Sequence, residues 1–421
     1  MRYSIRNATA SQIRQVGGKD IKETRVAIFA TLTEEQVAKL KASGCIVEKV
    51  GEVKPTVLPP APVAAKPVYS PVELIYAAGI NQIRELTIPP LYGEGFNVAV
   101  VGSGIRSTHE QIGGRVVYQK NYTTDPHKDG LDHDTGVASI VLTVVPNCNI
   151  LDMKVLDSKG YGTEEQVVLA LDDLISLHEA QSEFSPHVIN LSLGGPDTGN
   201  PDEPMRAICR EAINRGIFVF ASAGNGGPTS GTVTSPACEG YVFAVGSIDP
   251  ILSDDRIVSF VASDFSSRGP TKENLVKPDS IFFGRDIVMA SSASDTATVA
   301  KSGTSFSAPF ASGAAVLFLE GEKYWGGQPP PAWWFMISPG VVPYPMTPEG
   351  LLDVFMPLVS VKPQGELLGK DNSYGYGLPY GPLVLQYLGI RPAVDISTFL
   401  AGIMVVGMLG MIMVPMAKGF K

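Results

Sequence analysis

The sequence predicts an α/β protein whose core is a parallel sheet covered by helices on both faces. Three observations carry that prediction. Short strands rich in valine and isoleucine recur at Val98–Val101, Ile150–Val155, His187–Leu191, Ile217–Ala221 and Tyr241–Val245. Helical stretches such as Glu164–Glu179 and Pro204–Arg215 fall between them. The 421 residues are 44% apolar, enough to close a large core.

At the amino end, Met1–Arg14 is polar and mixed, with no apolar stretch of signal-peptide length. Arg25–Ala30 alternates as a strand does. Thr33 and Gln36 form a capping-box pair that opens a helix to about Ala42, Gly44 suits its C-terminal cap, and Cys45–Val50 is a second strand. Residues 1–52 are therefore expected to be a small domain built on a β-α-β unit. Residues 53–70 carry Pro55, Pro59, Pro60, Pro62 and Pro67 and are expected to form an extended, polyproline-like linker. Ser70, Pro71 and Glu73 then supply an N-cap, a first-turn proline and a capping-box acid, which start the main domain, 71–393. Within it, 321–346 is a Pro- and aromatic-rich insertion holding Trp325, Trp333 and Trp334, read either as a partner or membrane-surface patch or as a self-packed loop.

Residues 394–421 contain the uncharged run Ile396–Ala417, 22 residues long and followed by Lys418 and Lys421. At 1.5 Å per residue this crosses a hydrocarbon layer of roughly 30 Å, so a single-pass membrane anchor is expected, with the side on which the main domain lies left open.

Charge and cysteine content exclude several classes. A net charge of −9, without a Lys/Arg-rich run, argues against a nucleic-acid partner. Cys45, Cys148, Cys209 and Cys238 are too scattered for a disulfide framework or a metal pair and are expected to be buried thiols, with no metal and no cofactor. The segment Val100-Val101-Gly102-Ser103-Gly104 resembles the start of a dinucleotide-binding turn, but Ser107 stands where the third glycine belongs and no supporting acid follows at the required distance.

Three separated segments carry the chemistry. Gly303-Thr304-Ser305-Phe306-Ser307-Ala308-Pro309 runs into an apolar helix, Phe310–Leu319, and so places the Ser305 hydroxyl at a helix start, where backbone N–H groups favour developing negative charge. His133 opens another apolar helix in His133-Asp134-Thr135-Gly136-Val137-Ala138-Ser139. Asn225 follows a buried strand in Ala221-Ser222-Ala223-Gly224-Asn225-Gly226, so its amide can donate into a cleft. A serine, an imidazole and an amide donor together suit nucleophilic acyl transfer.

These segments resemble the motifs of the subtilisin-like serine proteases. Gly303–Pro309 matches the family's serine motif at each fixed position. His133, Thr135, Val137 and Ala138 match its histidine motif, whereas Asp134, Gly136 and Ser139 replace the usual glycine, histidine and glycine. Ser192, Leu193 and Gly194, within Asn190–Gly195, resemble the substrate-binding strand, and Ala221, Ser222, Ala223 and Gly224 the wall leading to the oxyanion asparagine. Ser235–Ala237, Phe265–Pro270, Lys277–Asp279 and Tyr374–Gly377 add supporting matches. The resemblance implies a subtilisin-like fold, protein or peptide substrates, and an N-terminal domain acting as an inhibitory propeptide with its linker in the cleft. The small residues of the pocket wall imply room for a large apolar side chain.

One member is missing. Val98–Ile105 aligns with the strand that ends in the family's catalytic aspartate, but Gly102 occupies that position. Asp132 and Asp134 flank His133, and neighbouring side chains on a helix start diverge, so neither is expected to replace it. Ser103 offers only a neutral hydroxyl. The sequence thus implies a serine endopeptidase with a degenerate triad, slow or inactive, or alternatively a pseudoprotease that binds peptides or serves structurally in a membrane or virion.

Overall fold

Period-two alternation decides where the central sheet buries its faces. In Asn97–Gly102, Val98 and Val100 join one apolar cluster while Ala99 and Val101 join another. Phe218 and Phe220 against Val219 and Ala221 repeat the division two strands further on. The computed structural model describes the chain except residues 59–67, 88, 254–255, 326–345, 367–368, 388–402 and 406–421.

The sheet has eight strands. From one edge it runs Arg256–Ala262, Phe243–Ser253, Phe218–Ser222, Val188–Leu191, Asn97–Gly102, Asn149–Lys154 and Val116–Asn121, with Ser280–Phe283 also paired to Phe243–Ser253. Only the pairing of Phe243–Ser253 with Arg256–Ala262 is antiparallel. The helices Asp134–Val144 and Thr304–Trp325 cover one face, and Glu164–Glu179 and Pro204–Ile213 the other. The strand order reverses direction on either side of Asn97–Gly102, and the crevice outside the strand ends there is where the chemistry collects. Gly313 lets the two helices on the first face touch, since a Cβ on it would lie 2.7 Å from that of Val144.

The amino-terminal unit is richer than a β-α-β. Four antiparallel strands lie in the order Lys19–Glu23, Ile28–Thr31, Arg2–Arg6, Ile46–Lys49, with helices Ala10–Gln15 and Glu34–Ala42 packed on them. The two strands expected from the sequence are present, but Arg2–Arg6 inserts between them. That strand went unread because its flanking arginines hide the buried Tyr3, Ser4 and Ile5, and Lys19–Glu23 because it is a polar edge strand. The capping boxes at Thr33 and Ser70 form as expected. The unit docks on the helix Glu164–Glu179 through ion pairs. Arg2 grips Glu165 with two bonds of 2.6 Å, and Arg25 reaches Asp172 at 2.7 Å.

Towards the carboxyl end, the helix begun at Thr304 continues through Trp325, five residues into the expected insertion, whose remainder up to residue 345 lies outside the described residues. Of the expected membrane helix 396–417, Ile403–Val405 are described, and they are extended, paired antiparallel with Ser360–Pro363; the rest lies outside the described residues. Among the described residues no helix is long and apolar enough to cross a membrane. All four cysteines are free and buried.

Candidate active site

Ser305 occupies the first turn of its helix, fully buried. Pro309 lies four residues on and has no N–H to give the Ser305 carbonyl, so that acceptor is left open inside the helix. Ser192 Oγ fills it, donating to Ser305 O at 2.7 Å, while Asn190 Nδ2 donates to Ser192 Oγ at 2.9 Å. The serine motif and the strand Val188–Leu191 are locked together by this exchange.

Asn225 is oriented from its other side. Its Oδ1 accepts from both the backbone N–H and the hydroxyl of Thr304, each at 3.0 Å, which leaves Nδ2 pointing into the cleft. There it donates to the carbonyl of Thr56 at 2.6 Å, and the Ser305 N–H reaches the same oxygen at 3.3 Å. Two donors converging on one carbonyl beside a serine hydroxyl is the geometry of an oxyanion hole.

The peptide in that hole is the chain's own. Glu52–Pro55, spanning the expected boundary between the first domain and the linker, is a strand clamped between two others, antiparallel to Leu193–Gly194 on one side and to Gly162–Thr163 on the other. Val53 anchors it, buried among the residues under the helix Glu164–Glu179. Beyond it, Thr56 N donates to Ser192 O at 3.4 Å and Leu58 N to Ser302 O at 3.0 Å. Gly303 is needed where this segment passes: a Cβ there would stand 2.6 Å from Thr56 O, and its φ is +151°. The side chain seated against the small-residue wall is a threonine, not a large apolar group. Thr56 Oγ1 lies 2.5 Å from Ser222 Oγ and 2.7 Å from Ser305 Oγ.

His133 precedes the helix Asp134–Val144 and is buried, its ring 5.5 Å from that of Phe306, the residue after the serine. The Ser305 hydroxyl donates to Ser192 O at 2.9 Å, and His133 Nε2 has no partner among the described residues.

The expectation that no acid supports this ring is overturned. His133 Nδ1 donates to Asp134 Oδ1 at 2.6 Å. Divergence of neighbouring side chains holds for helical residues, and His133 is not one: its φ of −122° and ψ of −66° turn the ring back over the helix start. Asp134 Oδ2 accepts from Ser103 N–H at 2.5 Å, so Ser103 holds Asp134 with its backbone as well as its hydroxyl. Gly102 lies against the same carboxylate: a Cβ on it would be 2.3 Å from Asp134 Oδ2. Asp132, with φ +57°, faces away and accepts from Ser292 N–H. Asp129 completes the support, accepting from the N–H groups of His133 and Thr135 at 2.9 and 3.0 Å. Burial pulls the nearby Lys154 ammonium below its ordinary pKa, while Asp134 and Asp129 oppose that shift. Among the described residues no group of three or more His, Cys, Asp or Glu side chains could hold a metal ion.

A buried serine at a helix start, an imidazole bonded to a carboxylate and two donors aimed at one carbonyl thus lie together beside a parallel sheet. The chain belongs to the subtilase family, whose pattern matches residues 93–377. It is 32% identical over 263 residues to Serine protease AprX of Bacillus subtilis, a stretch covering 55% of this chain and 58% of that protein. To Subtilisin E of Bacillus subtilis it is 32% identical over 272 residues, 59% of this chain and 62% of the relative. To the alkaline extracellular protease of Yarrowia lipolytica it is 32% identical over 240 residues, 52% and 47% of the two chains. The chain thus spans about three fifths of the length of the first two.

The seam between the amino-terminal unit and the sheet carries its own pH dependence. Burial, then the charge of Glu203, pushes the Glu164 carboxyl up to about 7; its backbone neighbours Met205 and Gly51 oppose the shift and Glu48 adds to it. A raised carboxyl favours the protonated form when docked, so its contribution is complete below about 4.5 and lost as pH rises through about 7. In an uncleaved Ser305→Ala chain, the melting temperature is expected to fall across that window, and Glu164→Gln to flatten the fall.

Proposed function

We propose that this chain is a serine endopeptidase that first cuts itself between Thr56 and Val57. The observation that carries the reading is the Thr56 carbonyl, held by Asn225 Nδ2 and the Ser305 N–H with the Ser305 hydroxyl beside it. In this reading Ser305 Oγ swings from Ser192 O, gives its proton to His133 Nε2 and attacks the Thr56 carbon. The oxyanion settles on Asn225 and the Ser305 N–H, and His133 protonates the leaving Val57 amine. Water then releases residues 1–56, the propeptide-like part, from Ser305. Substrates in trans are proteins or peptides that can add a strand between Leu193–Gly194 and Gly162–Thr163. Membrane attachment through 396–417 belongs to the proposal on its uncharged sequence alone and requires Ile403–Val405 to leave their pairing with Ser360–Pro363; resistance of the full chain to carbonate extraction from membranes tests it.

N-terminal sequencing of the purified chain is the direct test of function. Val57 as the new first residue is the expected result; Met1 retained in full would favour the second reading, a cleft permanently filled by its own strand. One observation favours that reading, the Ser305 hydroxyl being turned to Ser192 O and not to the imidazole. Asn225→Ala removes one of the two donors and is expected to slow the cut by about 10²- to 10³-fold, measured as the rate at which full-length chain disappears.

A further inference from the structure

We propose that Asp134 is the positioning acid of this catalytic centre, carried on the residue after the base instead of on a strand end, and that Gly102 is the space this carboxylate needs. The inference rests on the reading of Ser305 and His133 as nucleophile and base. Two departures from the family's motifs, each a loss when taken alone, become one exchange. Where the motif has an aspartate, this chain has Gly102; where it has a glycine after the histidine, this chain has Asp134. The two positions meet in space, because a Cβ on Gly102 would stand 2.3 Å from Asp134 Oδ2 and 2.8 Å from Oδ1. A carboxylate can be rooted at either position, not at both.

The carboxylate is also held as a positioning group must be. One oxygen takes the His133 Nδ1 proton at 2.6 Å, the other takes the Ser103 N–H at 2.5 Å, and the residue is 1% exposed. Its own N–H donates to Ser103 Oγ at 3.1 Å, so the same serine ties both ends of Asp134 to the strand end. An ionised carboxylate only accepts, which fixes the neutral ring as the Nδ1–H tautomer and leaves the Nε2 lone pair free to take a proton. His133 Nε2, without a partner among the described residues, is that lone pair.

Three variants of the full chain test the proposal. Asp134→Asn is expected to lower kcat by about 10³- to 10⁴-fold with KM little changed, and to alter the acid limb of the pH profile. Gly102→Asp alone is expected to lose activity through the clash. The exchange Gly102→Asp with Asp134→Gly is expected to recover activity to within about tenfold of the parent. The readouts are the rate of the Thr56–Val57 cut and hydrolysis of a chromogenic amide carrying residues 53–56. Nitrogen NMR of His133 in the Ser305→Ala chain reads the same claim without turnover. The Nδ1–H tautomer is expected there, and its loss when Asp134→Asn is added. An Asp134→Asn enzyme within about threefold of the parent, a gain from Gly102→Asp alone, or an unchanged tautomer would overturn the assignment. Failure of the peptidase reading is recognised separately, as a parent chain that never cuts while its tautomer is as expected.

Discussion

Ser305→Ala is expected to leave the chain whole, with Met1 still in place, and to slow the Thr56–Val57 cut by about 10⁶-fold, the scale set by removal of the nucleophile in subtilisin. The size of the loss follows from how little else could attack. Thr56 Oγ1, 2.7 Å from Ser305 Oγ, belongs to the peptide being cut, and Ser222 Oγ beyond it is engaged with that same hydroxyl and with Leu191 O at 3.4 Å. The hole itself survives the substitution, because the Ser305 N–H is backbone and Asn225 is aligned by Thr304. The strand Glu52–Pro55 should therefore stay in place, giving an intact, stably docked chain. A cut slowed by less than about tenfold would assign the attacking group elsewhere.

Asp134→Asn carries the second largest expected effect, and its shape matters as much as its size. An asparagine keeps the volume but can present an N–H to the ring, which favours the wrong tautomer. In the proposed centre the substrate strand lies along Leu193–Gly194 and Gly162–Thr163 and bonds to Asn225 and Ser192, whereas the Asp134 side chain bonds to His133 and Ser103, so the loss should fall on kcat. Because nucleophile, base and acid act as a unit, adding Asp134→Asn to Ser305→Ala should cost almost nothing further. Equal losses in single and double variants, read from the rate of self-cleavage, identify members of one device. Additive losses would place Asp134 in a separate, structural role.

Most of the scaffold was legible from the chain. The strands of the parallel sheet announce themselves by valine and isoleucine runs, and the capping signals at Thr33 and Ser70 mark helix starts to the residue. Ser305 and Asn225 meet at the Thr56 carbonyl, and the His133 ring lies 5.5 Å from that of Phe306. Besides the strands Arg2–Arg6 and Lys19–Glu23, two features of the cleft escaped. The strand Glu52–Pro55 is four residues long and carries a proline, and its pairing partners come from the cleft, distant in sequence. Asp134 escaped because one dihedral decides it. A helical His133 would aim its ring away from its neighbour, and nothing in the local residue types shows that it sits just outside the helix. The signal that could have found it was the simultaneous presence of a small residue where an acid is usual and an acid where a small residue is usual.

The adjacency of His133 and Asp134 changes what folding must accomplish. When base and brace sit on separate segments, three distant stretches of chain have to be brought into register, each at its own cost in loop entropy. A dipeptide that holds both reduces the problem to the meeting of two stretches, residues 133–134 and 305. Such a cassette is portable: a helix start that can host His-Asp, facing a strand end without a side chain, is all another scaffold would have to provide.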